Sequence, residues 1–431
     1  MKQEINERIE KIQKGEVPKG YKETKVGIIP EKWDVKKISN VASVKGGKRI
    51  PKGNSLIDTD TGFPYITVSD MDSNGIDTSN MRFVPPEIAP LIKRYVISSK
   101  DIYISVAGTL GLVGIVPKKL DGANLTENAD KLTDLKIDQK YLCYVLLSNR
   151  IQKTILNERT TNAQPKLALE RIRSFLIPVQ CDEEPKKIAS ILSKWDKAIE
   201  FKEKLIKKKK ESKKGFMQNL LTGKIRFPEF TDEWSEYILK NLLKVINRPE
   251  KWDDNKLYNL VSIRRRSRGL FSRGSLLGKK IKVKNLSPVK EDDFLISKMQ
   301  ILHGALGLVG KEFEDKYVSG SYIILHPVNK EQLNIKFFNY LTQLPFMYHK
   351  AFISSYGVHI EKMTFNLKLY LKEKIKIPLL KEQNKIVEFL EIVDKDILNL
   401  NKELKKIKQQ KRGMIQLLLT GIVRVKVDQD D

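Results

Sequence analysis

Cysteine is nearly absent from this chain. Cys143 and Cys181 are the only two in 431 residues, too few for a disulfide framework or for a zinc site built on thiolates. Long apolar runs are missing as well: no stretch approaches the roughly 18 residues that a membrane span needs, and the opening Met-Lys-Gln-Glu-Ile-Asn-Glu-Arg-Ile-Glu is charged throughout, without the apolar core of a secretion signal. A cytoplasmic protein with no membrane partner is expected. The histidines His303, His326, His349 and His359 show no metal-ligand spacing. No Asn-Pro-Pro-Phe or Asp-Pro-Pro-Tyr tetrapeptide is present to hold a flipped adenine, which excludes an amino-methyltransferase centre. Residues 274–280 are one residue short of a phosphate loop between their glycines and lack the hydroxyl that would bind magnesium, and residues 108–111 open no helix and so form no dinucleotide fingerprint. Acid is also in short supply. Against 80 Lys and Arg stand 53 Asp and Glu, an excess of 27, and so basic a chain points to a polyanionic partner such as nucleic acid.

In place of these features the chain has a repeat. Gly215-Phe-Met-Gln-Asn-Leu-Leu-Thr-Gly223 returns 198 residues later as Gly413-Met-Ile-Gln-Leu-Leu-Leu-Thr-Gly421. Each copy closes a long helical pattern. In the second, Ile386, Val393, Leu400, Ile407 and Met414 fall seven apart, and Leu390, Ile397, Leu404 and Leu418 form a neighbouring row broken by Lys411; this is the apolar seam of a coiled coil. The first supplies Ile188, Trp195 and Phe216 in one row and Leu192, Ile199, Ile206 and Leu220 in the other, with Lys202, Lys209 and Lys213 interrupting. A helix of about 36 residues spans about 54 Å. Neither can bury its seam alone, so the two are expected to pair. Thr-Gly ends both, glycine being suited to the left-handed cap of a helix C-terminus.

A period of 198 residues is far above that of solenoid repeats and marks a duplicated domain with its helix. Trp33, Ile38, Asn40 and Val44 return as Trp234, Leu239, Asn241 and Val245, and Asp101-Ile-Tyr-Ile-Ser105 answers Asp293-Phe-Leu-Ile-Ser297. Gly111-Leu-Val-Gly114 likewise answers Gly307-Leu-Val-Gly310. Residues 63–68 and 95–106 carry the β-branched and aromatic density of strands, residues 141–156 and 335–352 read as helices, and strands end at Ile177-Pro178 and Ile377-Pro378. The fold class is therefore α+β, internally duplicated, with two α/β-mixed domains separated by two long antiparallel coiled-coil helices. We divide it as 1–30, an N-terminal helix and linker; 31–180, the first domain; 181–223, the central helix; 224–378, the second domain; 379–422, the C-terminal helix; and 423–431, a tail.

The scaffold repeats while the interior loops do not. Diverged loops on a repeated frame are expected of two modules that bind two different targets in the same way. Residues 264–284 hold nine basic side chains and no acid; they form either a solvated face or a DNA-binding surface, on which Arg264, Arg265, Arg266 and Arg268 would pair with phosphates or fork onto guanine. Lys48, Arg49 and Lys52 are the analogous candidates in the first half. Ser69 and Asp70, after a strand, are candidates for base edges. The loops carrying Thr109, and Gln300 with His303, occupy equivalent positions in the two halves. Lys207, Lys208, Lys209, Lys210, Lys213 and Lys214 crowd one helix; they are a solvated face, or one that meets DNA or an acidic partner.

The two helices ending in Thr-Gly, the segment Gly27-Ile-Ile-Pro-Glu-Lys-Trp33 and the domain exits Ile177-Pro178 and Ile377-Pro-Leu-Leu-Lys-Glu-Gln383 resemble the conserved regions of the specificity subunit of type I restriction–modification enzymes, over nearly the whole chain. The resemblance implies a non-catalytic, sequence-specific DNA-binding subunit. Each domain would be a target recognition domain reading one half of a split double-stranded sequence, and the helices would set the spacer and dock two modification subunits. Along them Ile188, Leu192, Trp195, Ile199, Ile386, Val393, Leu400 and Ile407 are the candidate partner contacts. S-adenosylmethionine, ATP and Mg would come with the modification and restriction subunits, none with this chain. The first exit departs from the family pattern at Pro185, which is placed to bend the start of the helix. A coiled-coil DNA-organising protein without sequence specificity is the alternative.

Overall fold

The computed structural model describes residues 2–72, 75–157, 166–180, 183–357 and 363–425; Cys181 and His359 lie outside them. The chain forms two compact units, residues 1–202 with 403–431, and residues 203–402. Among the described residues no helix is long and apolar enough to cross a membrane, and no group of His, Cys, Asp and Glu could hold a metal ion.

In the first unit, strands Val113–Ile115, Ile102–Ser105, Ala129–Thr133 and Ser43–Gly46 make an antiparallel sheet in that order. A second sheet orders Arg82–Phe83, Pro64–Ile66, Ala123–Leu125 and Val96–Ile97, the middle pair parallel. Ile102–Ser105 is buried on both faces, which explains its unbroken apolar run. Ile102 and Ile104 point into a core made with helices Gln139–Leu147 and Asn149–Asn157, and Tyr103 points into the core of the smaller sheet. Asp138 caps the first of these helices by accepting the Tyr141 amide at 2.8 Å.

The second unit repeats this strand for strand. Leu243–Val245, Tyr322–Pro327, Phe294–Ser297 and Leu306–Leu308 form its larger sheet, and Leu270–Leu277, Leu257–Ile263, Tyr317–Ser319 and Leu286–Pro288 its smaller one, again with the middle pair parallel. Phe294 and Ile296 face helices Ile335–Leu341 and Pro345–Ile353, while Leu295 faces the other way. The duplication therefore extends to the smaller sheets, where no sequence likeness is visible.

Each unit also holds part of two long helices. The central one, Glu184–Leu220, has 37 residues and the C-terminal one, Leu380–Leu419, has 40. Pro185 does not bend the first: it lies in the opening turn, where its missing amide hydrogen has no intrahelical partner to lose. The helices run antiparallel, and the lysines that interrupt the seam are answered by acids of the other helix. Lys202 meets Glu403 at 2.8 Å in the first unit, and Lys209 and Lys213 meet Asp396 and Asp394 at 2.7 and 2.5 Å in the second. Lys411, the break in the other seam, pairs with Asp196. A globular part closes each such cluster: Tyr144 donates to Asp196 at 2.5 Å and lies under Lys411, and Tyr340 donates to Asp394 at 2.8 Å and lies under Lys213.

Three expectations change here. Ile188, Leu192, Ile199, Ile386 and Leu400 are buried in the chain's own packing and hold the helices to the units, so these five present no free face, while Trp195, Val393 and Ile407 are half-buried. The expected linker within residues 1–30 contains a hairpin, Tyr21–Thr24 with Gly27–Pro30, whose Tyr21 hydroxyl donates to Gly421 O at 2.7 Å; from the preceding helix, Lys2–Gln13, Arg8 donates to Ile422 O at 2.6 Å. The start of the expected tail is anchored as well. Arg424 forks onto the buried Glu184 at 2.8 and 2.9 Å, as Arg226 forks onto Glu382 in the second unit at 2.9 and 2.7 Å.

Candidate nucleic-acid interface

In the second unit, strands Leu257–Ile263 and Leu270–Leu277 form a ribbon at the edge of the smaller sheet, and residues 264–269 are its tip. Arg264, Arg265, Arg266 and Arg268 are all exposed there. The tip is held down by the turn that follows strand Phe294–Ser297: Arg266 N donates to His303 O at 2.7 Å and Ser267 N to Gly304 O at 2.8 Å. Glycine is favoured at 304, because its φ is +67° and a Cβ would stand a tight 3.2 Å from both the Cα and the N of Arg266. Arg265 Nε donates to Gln300 Oε1 at 2.6 Å. Two segments that are separate in sequence, Arg264 to Arg268 and Gln300 with His303, thus make one surface. Beside it runs a groove of about 660 Å³ lined by Arg266, His303, Gln343 and Tyr348 among others.

Arg273, farther along the same ribbon, is also exposed. The register between the ribbon strands shifts after Leu260, which pairs with Gly274 while Val261 pairs with Ser272. Arg273 is the extra residue of a β-bulge, a feature that re-aims a side chain and strengthens the local twist. The setting of residues 274–280, a strand end and one 3-10 turn, also disposes of the phosphate-loop likeness, since no α-helix follows directly.

The first unit places its candidates differently. By strand order, the counterpart of the arginine tip is the segment after Pro64–Ile66, where Ser69 and Asp70 lie; Lys48, Arg49 and Lys52 belong to the connection before that strand and are not its analogues. Ser69 is exposed. Asp70 takes part in its own turn, its Oδ2 accepting the Thr67 amide and hydroxyl, each at 2.7 Å, so it shapes the turn that presents Ser69. Lys48 lies 5.8 Å from the Tyr95 ring centroid. Arg49, 75% exposed, donates to Glu127 at 2.5 Å. Partial burial works against the Glu127 carboxylate, yet hydrogen bonds from Arg49, its own backbone and Thr126 hold it below the ordinary value. Gly47 permits the loop to cross the neighbouring strand end, for a Cβ would lie 2.0 Å from Thr126 O. Lys52 and Thr109 are exposed, and Thr109 O accepts the Ser105 hydroxyl at 2.5 Å.

Sequence reasoning marks Arg273 only as one of the nine basic residues of 264–284, and it misses Gln343 and Tyr348. The bulge leaves no mark in composition; Gln343 lies in the turn between helices Ile335–Leu341 and Pro345–Ile353, and Tyr348 in the second of them, a stretch whose pattern reads only as packing.

Comparison with known proteins agrees with this architecture. The type I restriction modification DNA specificity domain matches twice, over residues 30–210 and 231–409. A putative type I restriction enzyme MjaX specificity subunit of Methanocaldococcus jannaschii is 28% identical over 94% of this chain and 97% of its own length; the EcoBI specificity subunit of Escherichia coli is 23% identical over 37% of this chain and 34% of its own. The S subunit of a type I system from M. genitalium shares the fold, with a TM-score of 0.54 at 17% identity, covering 90% of this chain and 96% of that one. With both halves matched, the chain belongs to the DNA specificity subunits of type I restriction–modification systems, a non-catalytic family.

Proposed function

We propose that each unit reads one half of a bipartite duplex sequence, that loops on the smaller sheets do the reading, and that the helices set the spacer and dock two modification subunits. The observation that carries this reading is the strand-for-strand duplication with diverged loops at equivalent places: the arginine tip with the Gln300 to Gly304 turn in one unit, and the Ser69 segment with the Thr109 loop in the other. A two-stranded ribbon has the dimensions to enter a major groove, and an excess of 27 basic residues supplies sequence-independent attraction to phosphates. S-adenosylmethionine, ATP and Mg enter with the modification and restriction subunits. A DNA-organising protein would have no use for two diverged loop sets on one frame.

Exchange of residues 234–377 for the equivalent domain of a relative tests the reading. One half of the methylated sequence should change and the other should stay. A change in both halves would show joint reading and sink the two-module assignment.

A further inference from the structure

The arginine tip carries an unusual backbone. Among the described residues five other than glycine have positive φ, and three of these are aspartates, which tolerate that region. Arg266 and Ser267, at +61° and +50°, are the only consecutive pair. Asn-Gly would adopt this conformation with little strain, whereas an arginine has no short side chain to compensate by bonding locally. The fold nevertheless holds Arg266 there by the two hydrogen bonds to His303 O and Gly304 O.

The four arginines at the tip are not equivalent. Arg264 donates to Leu270 O at 2.7 Å and lies 4.7 Å over the Phe271 ring. Arg265 is tied to Gln300, and Arg268 Nε donates to Arg265 O at 3.3 Å. Arg266 is exposed, its backbone is fixed, and its guanidinium bonds to none of the described residues. A phosphate contact needs charge near a flexible chain and little more. A bidentate contact to a base edge needs a fixed direction, and backbone strain is retained where direction matters.

We propose that Arg266 is a specificity-determining residue of the second unit, its guanidinium reading the O6 and N7 edge of a guanine, with Gln300 and the turn through Gly304 as positioning groups. The assignment rests on the function proposed above. It also makes the two halves chemically unlike, because the equivalent segment of the first unit, residues 67–81, contains no arginine or lysine.

The test is sequencing of methylated sites made by the full-length chain assembled with its modification subunits. Arg266→Ala, Arg266→Lys and Arg266→Gly are compared with the unaltered chain, the domain exchange having shown which half-site belongs to the second unit. That half-site should contain a guanine. Each Arg266 variant should relax the preference at that one position by roughly ten- to a hundredfold and leave the other half-site intact. Arg266→Gly relieves the strained backbone while removing the guanidinium, so its loss of preference cannot be ascribed to unfolding. Uniform weakening across all sequences, with the slope of log affinity against log salt shallower by about 0.9, would make Arg266 a phosphate contact and overturn the proposal. Unchanged recognition, or a half-site without guanine, would overturn it equally. An unaltered chain that reads no bipartite target would overturn the proposed function first and this assignment with it.

Discussion

Asp130 shows how one side chain can carry a penalty inside an otherwise well-satisfied fold. It lies on strand Ala129–Thr133 at 6% exposure, its Oδ2 meeting no hydrogen-bond partner among the described residues. Burial pushes its carboxyl up to about 6, against the opposing pull of Lys166 and Arg173. Because the folded-state value is raised, the native state keeps its proton between the unfolded value of 3.8 and about 6. Stability therefore falls as pH rises through that window, and the cost is complete above it. Asp130→Asn, isosteric and uncharged, is expected to match the wild type near pH 4 and to exceed it above pH 6 by at most about 3 kcal/mol. Denaturant unfolding at several pH values decides this; parallel curves would show that the carboxylate is solvated after all. Glu184 and Glu382 are as deeply buried but each receives a two-pronged arginine, the arrangement that makes a buried carboxylate tolerable.

At the scale of elements, the long helices were the most legible part of the sequence, because a heptad of apolar residues states both the conformation and the face to be buried. What the pattern did not state was why lysines interrupt it. Lys213 and Lys411 lie at the same place in the two copies, as do Asp394 and Asp196, and each Lys meets the Asp of the opposite helix. No single-helix pattern reveals a pairing across a turnover of chain direction. Reversing the pair, Lys213→Asp with Asp394→Lys, should restore most of what either single change loses, with a coupling of about 0.5–1 kcal/mol for a pair this exposed. A double-mutant cycle by chemical denaturation measures it, and additivity of the two single changes would show that the contact does not stabilise. The candidate surface was half legible for a related reason. Composition marks Arg264, Arg265, Arg266 and Arg268, and the repeat marks Gln300 and His303, but the backbone bonds that join them are long-range. The small-sheet strands of the two units have diverged too far for their sequences to show the correspondence, and strand order alone sets the Lys48 loop before Pro64–Ile66 and not opposite the arginine tip.

For the whole molecule, the repeat seen in the sequence implies two bodies, and the structure divides the chain between them unevenly. The second unit is one continuous segment, residues 203–402, whereas the first is assembled from residues 1–202 and 403–431. Leu418 and Leu419 belong to the first unit's core, and Arg424 satisfies its buried Glu184. A chain ending after Lys402 should therefore keep the hydrogen-exchange protection of the second unit and lose that of the first, with the core around Ile188 and Leu192 opened. Equal protection of both units in the truncated chain would show that the last segment is dispensable.

The interrupted unit also has a consequence for biosynthesis. A ribosome delivers residues 1–202 first, yet the pieces that close their core arrive last, after the whole of the second unit has emerged. The half made second is the half able to finish first, and until the final helix is released the earlier half waits with a gap where Leu418 and Leu419 will sit. An interrupted translation product would thus carry one complete recognition module and one unfinished one, a species that quality control could detect by its unclosed core.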